Sequence, residues 1–153
     1  MKRLVVVSNQ IDSAGFSGCF RCYHVWKPRN PEVRRCPRCK STLWDVPRLT
    51  KVRRGGGLGI PEVLSTKREA VLEVLARHKA GHPRVFGSVA RGTATSESDV
   101  DLLVEFEPGA SALDQVSLVE ELGALLLRRV DVASPDGLHW IVRPQVLFEA
   151  EPL

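Results

Sequence analysis

Gly87-Ser88-Val89-Ala90-Arg91-Gly92, followed by Ser98-Asp99-Val100-Asp101-Leu102-Leu103-Val104, is the stretch that decides the reading of this chain. Arg84-Val85-Phe86 before it reads as a short strand, and Val100 to Phe106 alternates as a second strand stopped by Pro108-Gly109. A Gly-Ser pair at a strand-to-helix turn offers free backbone N–H groups and a hydroxyl to phosphate oxygens. Arg91 follows one turn later and can neutralise phosphate charge. Asp99 and Asp101 lie two apart along a strand, so both carboxylates leave the same face. Two carboxylates held that close repel unless a cation lies between them, and hard oxygen donors favour Mg²⁺ or Mn²⁺.

Farther along the chain, Arg129-Val130-Asp131-Val132-Ala133 reads as a third strand interrupted by a carboxylate. A charge in such a strand needs a partner, which makes Asp131 the candidate third ligand. Thr66 and Glu69 have capping-box spacing, with Leu64, Val71, Leu72 and Leu75 on one helical face, and Gly81 with Pro83 closes that segment. Ser111 and Asp114 repeat the capping spacing ahead of a stripe at Leu113, Val116, Val119, Leu122 and Leu126. Pro135-Asp136-Gly137 is a turn, His139 and Trp140 are expected to pack it against the last helix, and a short segment around Val146, Leu147 and Leu153 ends the chain. Glu97 and Ser98 are expected to order the loop before Asp99, and His78 and His82 to be solvated. Helix–strand–strand–helix–strand is an α/β (α+β) sandwich, a small mixed sheet with flanking helices. Carboxylate-held metals beside a phosphate cradle imply two-metal phosphoryl or nucleotidyl transfer.

Upstream the chemistry changes. All four cysteines fall in the first 40 residues, as Cys19-x-x-Cys22 and Cys36-x-x-Cys39. Two such knuckles 13 residues apart have the spacing of a tetrahedral four-thiolate zinc site. The spacer has room for a hairpin, and metal binding supplies folding energy that so small a module lacks. Disulfides fit poorly with a chain whose remaining residues contain no cysteine. Trp26 and Trp44 are the expected packing residues, and His24 an exposed hairpin residue rather than a ligand.

The 153 residues are 43% apolar and 26% charged, a balance that excludes wholesale disorder, and no apolar run is long enough to span a bilayer. A cytoplasmic location is expected, and Leu4 to Val7 reads as an edge strand or a tail. The net charge of +4 hides an asymmetry: residues 1–60 carry 13 Lys/Arg against 3 Asp/Glu, residues 61–153 carry 9 against 15. Two modules follow from this, a zinc ribbon over 14–46 and a sandwich over 61–153, joined by a basic Gly-rich linker over 47–60 that holds Gly55-Gly56-Gly57. Arg21, Lys27, Arg29, Arg34, Arg35, Arg38, Lys40, Arg48, Lys51, Arg53 and Arg54 give the ribbon and linker enough charge to meet nucleic acid, or an acidic protein surface.

Residues 62–153 resemble the minimal nucleotidyltransferases of the DNA polymerase β superfamily, on Gly87, Ser88, Arg91, Gly92, Ser98, Asp99, Asp101 and Asp131. The run from Gly137 to Leu153 is similar to that family's closing helix, and residues 16–46 resemble zinc-ribbon modules. The resemblance implies that Asp99 and Asp101 bind two Mg²⁺ ions holding a nucleoside triphosphate, that Gly87 and Ser88 contact the triphosphate, and that Asp131 helps activate the acceptor hydroxyl. Many small members of the family are antitoxins that transfer AMP from ATP to a tyrosine of a HEPN-type ribonuclease toxin, which the resemblance makes the expected partner. The alternative is a ribbon-based nucleic-acid- or protein-binding regulator whose second domain serves as a partner dock. A small-molecule nucleotidyltransferase ranks below both, because such enzymes usually carry a further helical domain.

Overall fold

In a computed structural model of the chain, the described residues are 14–30, 32–47, 49 and 55–153. Leu4 to Val7, Arg48, Lys51, Arg53 and Arg54 lie outside them. The chain forms two compact units, residues 1–50 with His139–Gln145, and residues 51–138 with Val146–Leu153.

The first unit is built on its cysteines. Strands β1 (Ser17–Gly18) and β2 (Val25–Trp26) pair antiparallel, Ser17 opposite Trp26, and bracket the first knuckle. The pairing therefore encloses Cys19–Cys22, where the sequence suggested a hairpin filling the spacer. Trp44 is buried, meets Trp26 edge to face at 5.3 Å between ring centroids, and donates its indole N–H to the Val33 carbonyl at 3.2 Å. His24 is half-buried and stacks on Trp26, so it is less exposed than expected. Trp140 also differs from expectation. It lies edge to face with Phe20, and a Cβ on Gly18 would strike its ring, so it packs on the first knuckle.

The second unit begins with α1 (Ile60–Leu64), one 3₁₀ turn and α2 (Arg68–Arg77). Thr66 and Glu69 do not cap it. The amide of Gly59 instead donates to Glu62 Oε2 at 2.8 Å, so helical structure starts about two turns earlier than the spacing suggested. Then follow β3 (Ala80–Phe86), the single turn α3 (Gly87–Ala90), β4 (Val100–Phe106), α4 (Ala112–Leu126), β5 (Val130–Ala133), α5 (Arg143–Glu149), of which Val146 onward belongs to this unit, and β6 (Glu151–Pro152). The sheet runs β5-β4-β3-β6, with β4 and β5 parallel and the other pairs antiparallel. Gly81 and Pro83 lie inside β3, not at a helix end. The pairing with β4 shifts register between Gly81 and Arg84, and such a bulge accommodates a proline that cannot donate to the ladder.

Strand alternation decides the faces. Val100, Leu102 and Val104 point into the apolar core with Val85, beside Val71, Val74 and Leu75 of α2 and Leu118, Leu122 and Leu126 of α4. The other face carries Asp101 and Asp131, Cα partners across the parallel β4–β5 pair. Ser111 caps α4 by accepting from the Asp114 amide at 3.2 Å, as its spacing predicts. Leu113 and Val116, expected in the apolar stripe, are exposed, and the buried positions of α4 start at Leu118. The glycine-rich segment before α1 is anchored: Gly57 donates to the Gly92 carbonyl at 3.0 Å, and Leu58 and Ala94 exchange backbone bonds. Among the described residues no helix is long and apolar enough to cross a membrane.

Candidate active site and metal centre

Strand β3 delivers Gly87 at its C-terminal end, where the chain turns sharply into α3. Gly87 has φ +69, a left-handed conformation that costs an L-residue roughly 1–2 kcal/mol. A Cβ there would overlap Asp101 Oδ2, so only glycine leaves room for that carboxylate. Asp101 is half-buried. Burial pushes its carboxyl up from the ordinary 3.8 to about 6, and the negative charges of Asp131 and then Asp99 push the same way. A carboxylate so placed is poised to gain a cation.

Asp101 opens onto a cleft of about 330 Å³ lined by Ser88, Arg91, Ser98, Asp99 and Arg129. Asp99 is tied to Arg129 by an ion pair of 2.9 Å. The neighbouring Arg128 donates to the carbonyls of Thr95 and Ser98, at 2.8 and 3.2 Å, and fixes the loop that leads into Asp99. Ser98 Oγ accepts from the Thr95 amide at 2.9 Å, the ordering role expected of it, while Glu97 stands at the cleft rim. Asp131 is exposed beside Asp101 and outside the cleft lining. The structure thus gathers Ser88, Arg91, Asp99 and Asp101 around one cavity and sets Asp131 on the next strand.

One participant was not expected. Glu149, the last residue of α5, is buried and accepts from the Gly87 amide at 3.1 Å and from Arg91 Nη1 at 3.0 and 3.2 Å. Gly87 therefore directs its own N–H to a carboxylate of the protein, and its contribution to the site is the space it leaves for Asp101. The one sequence signal for Glu149 is its position three residues after buried Val146, on the inward face of a short apolar segment. His78 also departs from expectation. It is largely covered and pairs with Glu121 Oε2 at 2.8 Å, away from the cleft.

In the first unit the four cysteine sulfurs lie within 4.8 Å of one another, the one such set of metal-ligating groups among the described residues. Cys19 and Cys39 approach to 3.6 Å and Cys22 and Cys36 to 3.7 Å, close to the edge of about 3.8 Å of a tetrahedron with zinc–sulfur bonds near 2.3 Å. The knuckles match bond for bond. Tyr23 donates to the Cys19 carbonyl and Cys19 to that of His24, as Lys40 does to Cys36 and Cys36 to Ser41. Tyr23 and Lys40, each just after the second cysteine, share a left-handed φ of 56 and 59. The Ser41 amide beside Cys39 holds that thiol down at about 7. The donor set fits zinc, with Cys19, Cys22, Cys36 and Cys39 as ligands.

Residues 68–152 match the family model of the nucleotidyltransferase domain. The chain belongs to the nucleotidyltransferase domain family. It is 38% identical over 90 residues to the protein adenylyltransferase MntA of Thermococcus cleftensis, covering 59% of this chain and 88% of that protein. A Methanocaldococcus jannaschii relative, named putative protein adenylyltransferase MJ0435, is 36% identical over 83 residues, 54% of this chain and 89% of its own. Among solved structures, one named as a putative minimal nucleotidyltransferase shares 52% identity at a TM-score of 0.56, covering 65% of this chain and all of that one. The nucleotidyltransferase domain of this chain and its cleft therefore belong to an enzyme family, and the ribbon precedes the matched region.

Proposed function

We propose that this nucleotidyltransferase is a Mg²⁺-dependent adenylyltransferase that moves AMP from ATP to an acceptor hydroxyl. The observation that carries the reading is Asp101, set against the Cβ-less Gly87 and surrounded by Asp99 and Asp131 at a cleft that also holds Ser88 and Arg91. Asp99 and Asp101, with Asp131, would hold the magnesium ions, which supply compensation for the triphosphate charge and polarise its oxygens. Ser88 and Arg91 bind and orient the phosphates. The acceptor oxygen forms a bond to the α-phosphorus, the bond from that phosphorus to the bridging oxygen breaks, and pyrophosphate leaves. The hydroxyl proton passes to Asp131, which is exposed and lies opposite Asp101 across the β4–β5 pair.

Two relatives carry names of protein adenylyltransferases, which favours a protein acceptor. With the resemblance to small antitoxins, we take the acceptor to be a tyrosine of a HEPN-type ribonuclease toxin and the role to be that of its antidote. The test uses the purified chain with Mg²⁺ and each α-³²P-labelled nucleoside triphosphate, with host lysate as the acceptor source. Label from ATP on a protein band, absent with Asp99→Asn/Asp101→Asn, supports the reading. Full activity in that double variant overturns it.

A second function attaches to the ribbon, that of a binding head for a polyanion such as nucleic acid or an acidic protein. Lys27, Arg29, Arg34, Arg35, Arg38 and Lys40 are all exposed on a unit whose described acidic residues are Glu32 and Asp45.

A further inference from the structure

We infer that Glu149 is the positioning residue of the nucleotide site, fixing Arg91 toward the phosphates and holding the turn that seats Asp101. The inference rests on the nucleotidyltransferase reading of the same cleft.

A carboxylate buried to 9% exposure is costly unless its charge is compensated and its oxygens are bonded. Glu149 meets both demands with groups of one short segment, the Gly87 amide and the Arg91 guanidinium, about sixty residues away in sequence. Glu149 is almost wholly covered. Arg91 instead keeps 40% of its side chain exposed, against 6% for Glu149, and lines the cleft. Both contacts with Glu149 use Nη1, which leaves the other guanidinium donors available to a ligand. An arginine fixed at one end and open at the other is oriented before the nucleotide arrives. Less side-chain entropy is then lost on binding, and phosphate receives a planar donor at a set angle.

The amide contact adds a second effect. Gly87 holds a left-handed turn against Asp101, and its N–H would otherwise be a buried donor without a partner. Glu149 accepts that N–H and so steadies the turn behind the Asp101 carboxylate. One side chain thus sets two members of the site without lying on either strand that carries the aspartates.

The test measures binding of Mg²⁺ with a non-hydrolysable ATP analogue by calorimetry, KM and kcat for labelled transfer, and thermal unfolding. Glu149→Gln retains an oxygen for the Gly87 amide but loses the charge on Arg91. It should weaken analogue binding and raise KM about tenfold, the worth of one charge-assisted contact, with a smaller change in kcat. Arg91→Ala should weaken binding at least as much, and adding Glu149→Gln to it should cost nothing more. Arg91→Lys keeps an ion pair with Glu149 and removes the planar donors. It should fold like the parent and still lose nucleotide affinity, so the orienting role is tested even if Glu149→Gln does not fold. Parent-like binding in Glu149→Gln or in Arg91→Lys, or fully multiplicative losses in the double variant, would overturn the inference alone. A parent protein that binds no nucleotide would overturn it together with the reading on which it rests.

Discussion

Asp101 Oδ2 occupies the space where a side chain on Gly87 would begin. The end of β3 and the second residue of β4 are therefore one device: a left-handed glycine is needed because a carboxylate lies against its Cα. Gly87→Ala should lower the unfolding temperature, through the roughly 1–2 kcal/mol of left-handed strain and the displaced carboxylate, and abolish transfer. Adding Asp101→Ala to Gly87→Ala removes the overlap. The double variant should regain part of the lost unfolding temperature and none of the activity, as thermal unfolding beside the labelled-transfer assay would report. No recovery would mean that Gly87 is required for its backbone conformation alone.

The carboxyl of Asp101 gives the metal-free protein a distinct pH dependence. Its folded value of about 6 lies above the ordinary 3.8, so the folded state holds this proton more tightly than the unfolded chain. The stabilisation is complete below about pH 4 and is lost as the pH rises through 6. In chelator, the unfolding temperature of the parent relative to Asp101→Asn should fall across that window. Magnesium should bind more weakly below pH 6, with proton release detectable by calorimetry in buffers of different ionisation enthalpy.

All three tryptophans, Trp26, Trp44 and Trp140, belong to the first unit, so intrinsic tryptophan fluorescence observes that unit separately from the cleft at Asp101. The protein should contain one zinc per chain by atomic absorption. Stripping it with a chelator should shift tryptophan emission to the red, because the packing of Trp44 against Trp26 depends on knuckles held by the metal. Cys36→Ser should do the same without chelator. Unchanged emission after complete metal loss would show that the ribbon folds on its apolar contacts alone.

What could be read from the sequence was what local chemistry specifies. The cysteine pairs, the turn at Gly87-Ser88, and Asp99 with Asp101 at one cleft depend on short spacings, and the structure places them so; Asp131 reaches Asp101 only through the pairing of β4 with β5. The Ser111 cap was legible for the same reason. Elsewhere tertiary structure chose between equal local options. Helix α4 carries apolar residues on two stripes, and only packing against α2 and β5 selects Leu118, Leu122 and Leu126 over Leu113 and Val116. Pro83 reads as a helix stop until a bulged strand takes it in. Glu149 is one of two acids, with Glu151, in the closing segment, and its contacts with Gly87 and Arg91 lie about sixty residues upstream, beyond any periodicity. Trp140 packs on Phe20 across a separation that no local pattern encodes.

Arg34, Arg35 and Arg38 flank or lie within the second knuckle, and among the described residues no carboxylate is found in an ion pair with them. If they meet phosphates, each contact releases a counterion, and affinity should fall steeply with salt. Fluorescence anisotropy with labelled single-stranded RNA and DNA, duplex DNA and polyglutamate, each titrated across salt concentrations, separates the options. For a nucleic acid ligand, changing all three arginines to glutamine should weaken binding and flatten the logarithmic salt slope by about 2–3. Asp99→Asn/Asp101→Asn should leave that binding unchanged, since those carboxylates belong to the other unit. Binding to polyglutamate with none to nucleic acid would assign the ribbon to an acidic protein partner. Failure to bind any of them at low salt would remove the polyanion reading and leave the catalytic one intact.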